Sequence, residues 1–317
     1  MKKILIASTA LVLTAGMAAA ESHSSVALSG SARMGVIYDG TDAAFSSRVR
    51  VEAAMSGTTD GGLSFGASMR FDQVGGNGGG GTALLTAGPD GIFGNADDVF
   101  VIVGASSTGT TNGDSKVYLS GEFGKITMGD VGGAADALVG QTSGVGYGPN
   151  DDLHEIKFIN TTKTAFYYEK SVAGGLTFGI GAGQVGSDEL NVAVKYATDR
   201  FTVALGYEDD STTGSSHNRI SASGSMTLGV ATVKAKYMTD SAITDDSYSL
   251  SASGTFGGVG VTAFYTHFGV SSSENIGIGA SYDLGGGAAI KGAIVNVGGV
   301  GAGADTTVAD LGLTFSF

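Results

Sequence analysis

The sequence predicts an all-β fold, namely a 16-stranded antiparallel transmembrane β-barrel whose third loop folds inward. Three observations predict it. Apolar and polar residues alternate with a period of two along most of the chain, as they do where a strand separates two environments. Glycine is frequent (55 of 317 residues) and proline is rare (2), which disfavours helices and suits strands joined by tight turns. Short and long connections alternate between the strands, as in barrels that cross a membrane.

The first 20 residues, MKKILIASTALVLTAGMAAA, have the composition of a secretory signal peptide. Two lysines precede an apolar run that begins at Ile4, and the alanines at 18–20 form a small-residue cleavage site. We therefore expect a signal peptide at 1–20 and a mature barrel domain at 21–317. The chain has no cysteine, so neither disulfides nor thiolate metal sites are available to it.

The charge of the chain excludes one class of partner. The formal net charge is −13, and removal of Lys2 and Lys3 with the signal peptide leaves 15 basic against 30 acidic residues, a net charge of −15. Nucleic-acid binding needs a basic surface, so we expect no nucleic-acid partner. Beyond the signal peptide, no apolar run approaches the ~20 residues of a spanning helix. A membrane crossing would therefore use strands, closed into a ring because unpaired strand edges are costly in hydrocarbon.

Residues 45–55, FSSRVRVEAAM, show the alternation most clearly. In a strand, the apolar side chains face one way and Arg48, Arg50 and Glu52 face the other. A half-buried strand of a soluble sheet has the same pattern, so the rest of the chain must decide. The alternation recurs at 26–38, 63–72, 176–182, 190–196, 201–208, 233–237, 248–252, 276–283 and 311–317, and more weakly at 115–121, 125–130, 163–171, 218–228, 259–268 and 288–297.

A ring of this size encloses water instead of a core filled by side chains. Apolar side chains then face lipid, and polar side chains face the lumen. Aromatic residues at strand ends fit the interfacial girdles of such barrels, although each alone is also compatible with ordinary strand packing. These residues are Tyr38, Phe45, Tyr207, Tyr237, Tyr282 and Phe317.

Four of the six arginines lie in the first three strands, all in the inward phase: Arg33, Arg48, Arg50 and Arg70. Neighbouring strands are ~4.8 Å apart, so these guanidinium groups are expected to form one basic sector of the lumen wall. Clustered like charges need facing acids or water to offset them.

Acidic residues that could offset the arginine charges lie in the long third loop, residues 131–162. Loops of this length usually have a function. If this one folds into the lumen, it narrows the pore and opposes its acids to the arginines, an arrangement that tunes ion selectivity. In the alternative, the loop only caps the extracellular mouth. The acidic candidates are Asp136, Asp151, Asp152 and Glu155.

The second loop, residues 73–114, contains GPDGIFGNADD. Its closely spaced oxygen ligands suit Ca²⁺, although an EF-hand is excluded by the spacing and by the lack of a closing glutamate. The calcium candidates are Asp90, Asn95, Asp97 and Asp98, and the alternative is a solvated acidic loop. The following apolar stretch VFVIVG either extends a hairpin or packs on a neighbouring subunit.

No catalytic constellation is present in the sequence. The four histidines are dispersed, and the GxSxG, HExxH and P-loop patterns are missing, so we expect no enzymatic activity. An outer-membrane β-barrel hydrolase remains an alternative, since catalytic residues on a barrel rim can be distant in sequence. The other alternative, a secreted calcium-binding β-solenoid or adhesin, requires a short fixed repeat that the chain does not show.

Five segments resemble the trimeric general-diffusion porins of the Rhodobacter type: LSGSARMGVIYDG, FSSRVRVEAAMSGTTDGGLSFGAS, VYLSGEFGKITMGDVGGAADALVG, GIGASYDLGGGAAIKGAI and VADLGLTFSF. The resemblance implies a homotrimer in outer-membrane lipid and an inward third loop whose acids face a basic wall. By position it assigns the basic role to the four arginines and an eyelet position to Asp136. It fades after GVGYG, before Asp151, and the second loop is longer than expected for such porins. The terminal Phe317 resembles the aromatic residue by which outer-membrane assembly machinery recognises its clients.

The sequence therefore predicts an outer-membrane channel for passive diffusion of small hydrophilic solutes and ions. Passive diffusion requires no cofactor, nucleotide or conformational cycle. The acidic surplus favours cations, and the arginine sector opposes this preference locally.

Overall fold

The computed structural model describes residues 24–76, 82–86, 99–103, 115–148, 150–159, 164–183, 189–211, 216–299 and 303–317. The predicted signal peptide (1–20) and calcium site (Asp90, Asn95, Asp97 and Asp98) lie outside the described residues. Within these residues, 16 strands form one closed antiparallel barrel, so the predicted fold class is confirmed. No helix in the described ranges is both long and apolar enough to cross a membrane.

The barrel strands follow chain order, and the ring closes where the first strand pairs with the last. Closure leaves no open sheet edge, which is the condition for a sheet to stand in hydrocarbon. The strands are β1 Ser24–Tyr38, β2 Ala43–Thr58, β3 Ser64–Gly76, β6 Lys116–Gly121, β7 Gly124–Gly129, β8 Ala165–Val172, β9 Leu176–Ala182, β10 Glu189–Ala197, β11 Phe201–Asp210, β12 His217–Leu228, β13 Ala231–Asp240, β14 Ser247–Phe256, β15 Val259–Phe268, β16 Ser273–Gly285, β17 Ala288–Val297 and β18 Thr306–Ser316.

The remaining elements lie in the second and third loops. The strands β4 Thr82–Thr86 and β5 Val99–Val103 pair as a separate two-stranded antiparallel sheet in the second loop, so the described part of VFVIVG, residues 99–103, is one strand of a paired sheet. The third loop contains the helix α1 Ala134–Val139 and the 3₁₀ turn Asp151–His154. The barrel thus has a turn end, where connections are two to five residues long, and a loop end, which carries the second and third loops.

The outer surface of the barrel carries the apolar phase of each strand, as the alternation predicts. Phe45 is 84% exposed, and Val49 on the same strand and Leu311 on β18 are also exposed. The six aromatic residues predicted at strand ends are also exposed. The surroundings of the barrel, instead of a protein core, remove these side chains from water.

The apolar core of this protein lies inside the barrel, between the third loop and the wall. Small buried clusters occupy this space, in contrast to the otherwise polar lumen face. They comprise Ala135, Val139, Ile156, Phe158, Ala204 and Met238; Ala134, Leu138, Tyr167 and Ala193; and Val145, Phe264, Ala293 and Val295. The described part of the third loop is therefore packed inside the barrel, and we call residues 131–162 the inner loop.

Candidate channel constriction

The inner loop begins against the wall with α1. This helix packs on β9, β10 and β11, and Ala134 donates its backbone N–H to Asn191 Oδ1 on β10 at 2.5 Å. Gly179 and Gly206 make room for it, since a Cβ on Gly206 would lie 2.9 Å from the Cβ of Ala135. The absence of side chains at these wall positions lets the helix approach the strands closely.

After α1 the chain follows the wall towards β14. Ser223 on β12 donates its hydroxyl to the Val139 carbonyl at 2.7 Å. The hydroxyls of Thr142 and Ser249, the latter on β14, are 2.7 Å apart. Small inward-facing hydroxyl residues of the strands thus satisfy polar groups of the loop that are buried against them.

The tip of the inner loop centres on Tyr147. Its backbone N–H donates to Asp310 Oδ1 on β18 at 3.3 Å. Its ring covers Gly35 and Gly312, which face each other directly across β1 and β18. A Cβ on either glycine would approach the ring to within 2.9 Å. The guanidinium of Arg33 lies over the same ring, so the tip reaches the first arginine of the predicted basic sector.

The second limb of the inner loop returns along the same wall. Wall side chains hold its backbone at intervals, which keeps both limbs on the strands. Asn275, Thr266, Lys236 and Arg219 donate to the carbonyls of Leu153, His154, Ile156 and Lys157 respectively, and Glu208 accepts the N–H of Ile159. The inner loop thus lines the wall from β9 to β18.

The four predicted arginines all project from the inner face of β1, β2 and β3. Arg33 and Arg48 are directly opposite each other in the register of β1 and β2. Arg48 lies within electrostatic range of Arg33, Arg50 and Arg70. The Nε atoms of Arg33 and Arg48 are buried without a hydrogen bond in the described part of the chain. We call these four residues the arginine wall.

Asp72 on β3 is the carboxylate that forms ion pairs with residues of the arginine wall. It accepts two hydrogen bonds from Arg50, both at 2.8 Å, and Arg70 Nε lies 3.1 Å from the same carboxylate. The bidentate geometry makes the Arg50 pair the strongest of these contacts. The alternation over 63–72 puts Asp72 in the same inward phase as Arg70, but the sequence alone indicated no role for it. Its cross-strand position opposite Arg50 was the signal that could have found it.

The predicted acidic residues of the inner loop fall into two groups. Asp136 is exposed on α1, with Glu208 and Lys236 of the wall as electrostatic neighbours. Asp151 and Asp152 are exposed in the 3₁₀ turn on the return limb, and Glu155 follows them. The pKa of Asp151 is raised, chiefly by partial removal from water and further by the negative charges of Asp152 and Glu155. The positive charges of His154 and Lys291 lower it, but by less. Glu155 pairs with Lys157 at 2.5 Å.

Comparison with known proteins decides what kind of barrel this is. Residues 7–316 match the family of Gram-negative porins. The chain belongs to this family. A porin from Rhodobacter capsulatus is 32% identical to the chain over 341 residues, covering 92% of this chain and all of that protein. A porin structure refined at 1.8 Å resolution matches with a TM-score of 0.71, 32% identity and the same coverage. A mutant porin of Rh. blastica, with a TM-score of 0.68, 20% identity and the same coverage, shares the fold.

Membership of the porin family confirms the predicted function at the level of an outer-membrane diffusion channel. The closed ring also differs from the β-solenoid that was the alternative. In the part of this porin that the structure describes, no group of three or more His, Asp or Glu side chains is arranged to hold a metal ion.

Sequence reasoning missed the buried charged residues that hold the return limb of this porin. Lys236 is 2% exposed, and its Nζ bonds the Gln141 side chain and lies 3.5 Å from the Phe158 ring centroid. Arg219 pairs with Asp240 at 2.5 Å. The alternation put these side chains on the inner face, but only the packed loop shows that they face protein there. Their anchoring role depends on contacts distant in sequence.

Proposed function

We propose that this porin passes small hydrophilic solutes and ions through a constriction between the arginine wall and the inner loop. The observation that carries the proposal is the course of the loop, which thickens the wall from β9 to β18 and brings its tip, Tyr147, against Arg33. The guanidinium groups then line the side of the lumen next to the loop tip. A passing solute meets cations on one side and the loop on the other.

The charges support a transverse field across this constriction. On the loop side, Asp136, Asp151 and Asp152 are exposed and Glu155 is partly exposed. On the wall side, four guanidinium groups are offset by Asp72, and Glu52 lies opposite Arg70 in the register. Opposed fixed charges in a pore select among ions and orient dipolar solutes. We assign the basic role to the arginine wall and the acidic role to the four loop residues.

Planar-bilayer recording of the purified porin tests the proposal. The double variant Arg48→Ser/Arg50→Ser should widen the constriction and remove two positive charges, so single-channel conductance and cation preference should both rise. The matched control is Arg200→Ser, in a turn of the turn end remote from the inner loop. Conductance and reversal potential equal to those of the unmodified porin would remove the arginine wall from the constriction.

We further propose that the mature chain begins near Glu21 and assembles as a homotrimer. The exposed apolar surface of β17, β18, β1 and β2, which includes a groove of about 650 Å³ between residues such as Met34 and Leu311, supports a subunit contact there. Mass spectrometry of the mature protein tests the cleavage position. Light scattering in detergent, corrected for bound detergent, tests the subunit number, and a monomeric mass would contradict the trimer.

The calcium hypothesis for Asp90, Asn95, Asp97 and Asp98 stays a proposal carried by the sequence. Calcium would have a structural role in the second loop. Isothermal titration with Ca²⁺ tests it, using the Asp97→Asn/Asp98→Asn variant as the comparison. Equal binding by the variant and the unmodified porin would remove this site.

A further inference from the structure

An apolar cavity in the lumen near the loop end breaks the usual pattern of a barrel interior. Its volume is about 340 Å³, within the range of small-molecule sites. Its apolar lining includes Leu153 and Ile156 of the inner loop, Met238 of the wall, and Ile243 and Val270 of the loop-end connections. Lumen-facing surfaces of water-filled barrels are polar, so a recess lined in this way requires an explanation.

The charged groups around this cavity are unequal in number. Asp152, Glu155, Asp240 and Asp245 line it, against Lys157 and Arg219. Arg219 pairs with Asp240, and Lys157 pairs with Glu155, each at 2.5 Å. Among the described residues, this leaves the carboxylates of Asp152 and Asp245 without a lysine or arginine partner. Asp245 lies 3.0 Å from His267 Nε2, whereas Asp152 is exposed.

From these observations we infer that the cavity is a binding subsite for small amphipathic cations, namely primary ammonium ions with a short apolar body. The apolar body enters the recess between Ile156, Met238 and Val270, and the ammonium group meets the carboxylate of Asp152. Burial of the apolar body supplies the attraction. The carboxylates of Asp152 and Asp245, which have no lysine or arginine partner among the described residues, select a cation over a neutral or anionic solute of the same shape.

The position of the cavity gives the subsite a role in transport. The inner loop forms one side of the cavity and also bounds the proposed constriction. The inference rests on the proposed channel only in this respect: Asp152 and Glu155 line the cavity and also belong to the proposed acidic side of the constriction, so a bound cation lies beside the ion path. Binding there raises the local concentration of such cations, and at high concentration it obstructs the current of other ions.

The first test measures equilibrium binding to the detergent-solubilised porin by isothermal titration, with 2-phenylethylammonium as the probe. We expect saturable binding of one probe per chain with a Kd of about 1 mM. The neutral 2-phenylethanol and the small methylammonium ion should each bind at least about tenfold more weakly. Equal binding of methylammonium, or no saturable binding of the probe, would overturn the inference.

Variants assign the binding to this cavity. Ile243→Ser/Val270→Ser changes only loop-end connections and should weaken binding about tenfold through loss of apolar contact. Asp152→Asn should weaken it about fivefold through loss of charge. Asp60→Asn removes the same charge at the turn end and should leave binding unchanged. Unchanged affinity in the Ile243/Val270 variant would show that the probe binds elsewhere and overturn the assignment.

Bilayer recording separates this inference from the proposed channel. The probe added at the loop end should reduce the potassium current in a saturable manner, with less effect from the other side. Titration alone reports on the cavity if the protein fails to conduct, in which case only the channel proposal fails. If conductance responds to Arg48→Ser/Arg50→Ser but the probe does not bind, the channel stands and the subsite is wrong.

Discussion

The guanidinium carbon of Arg33 lies 5.9 Å from the centroid of the Tyr147 ring. This contact joins the first residue of the arginine wall to the tip of the inner loop, 114 positions later in the sequence. A cation over an aromatic face is worth roughly 0.5–2 kcal/mol, depending on how far both groups are removed from water. The contact therefore helps to hold the loop tip and to orient the guanidinium.

Replacement of Tyr147 tests whether its ring holds the tip of the inner loop on the wall. Tyr147→Ala removes the ring over Gly35 and Gly312 and should weaken attachment of the tip by about 3 kcal/mol, as for other buried aromatic truncations. We expect more open-channel current noise and more frequent partial closures. Tyr147→Phe is the matched control, since the phenol oxygen has no hydrogen bond in the described part of the chain. Quiet channels in Tyr147→Ala would mean that other contacts hold the tip.

Asp72 should control the net charge of the arginine wall. Asp72→Asn leaves Arg50 and Arg70 without their shared carboxylate, so the lumen becomes more positive next to Arg48. We expect the reversal potential in a potassium chloride gradient to shift towards chloride, opposite to the shift in Arg48→Ser/Arg50→Ser. Asp199→Asn, in a turn of the turn end, is the control. A shift of equal size in the control would indicate a general surface-charge effect.

The pH dependence of ion selectivity should report the protonation of the Asp151 carboxylate. Partial removal from water raises the pKa of Asp151, so this carboxylate takes up a proton before carboxylates with ordinary pKa values as the pH falls. We expect cation preference to begin falling at a higher pH in the unmodified porin than in Asp151→Asn, which lacks this titration. Reversal potentials measured from about pH 7 to about pH 4 test this. Identical profiles would exclude Asp151 from the ion path.

Lys236 should anchor the return limb of the inner loop. Lys236→Met retains an aliphatic stem against Phe158 but removes the donors to Gln141 and Ile156. Loss of these buried hydrogen bonds should cost about 2–3 kcal/mol of loop attachment. Faster proteolysis near Lys157 in the folded porin would report the loss. Lys234→Met, two positions earlier on the same face of β13, is the control, and equal cleavage of both variants would contradict an anchoring role.

The C-terminal residue should matter for assembly more than for the folded barrel. Backbone hydrogen bonds link Phe317 to Gly30 in both directions, while the residue is 67% exposed. Phe317→Ser keeps these backbone bonds and removes the ring. We expect a several-fold loss of porin in the outer membrane of cells but near-normal refolding of purified protein in detergent. Normal membrane levels would remove the proposed role of Phe317 in recognition by the assembly machinery.

Much of the barrel was predictable because each strand has one face towards lipid and one towards the lumen. A shift of one residue would reverse every side chain of a strand, so the alternation determines the faces. Arg33, Arg48, Arg50 and Arg70 therefore followed from local spacing, as did the inward phase of Asp72.

The course of the inner loop was not predictable in the same way. Contacts such as those of Asn191 with Ala134 and Asp310 with Tyr147 join residues far apart in the chain and have no periodic signature. The sequence indicated an inward loop, but not that both limbs follow the wall. In the second loop, the strand at 99–103 agrees with the apolar stretch seen in the sequence. The calcium candidates lie outside the described residues, so the calcium hypothesis stays a prediction.

The glycine pair beneath Tyr147 limits how such channels can be re-engineered. Gly35 and Gly312 form a recess shaped to one ring, so the loop and its strands are complementary parts. If this loop were grafted into a related barrel with larger residues at the two positions, the Tyr147 ring would clash with them. If the loop were deleted here, the recess at Gly35 and Gly312 would be left unfilled. A change in pore diameter therefore requires that the residue at the loop tip and the strand residues beneath it be exchanged together.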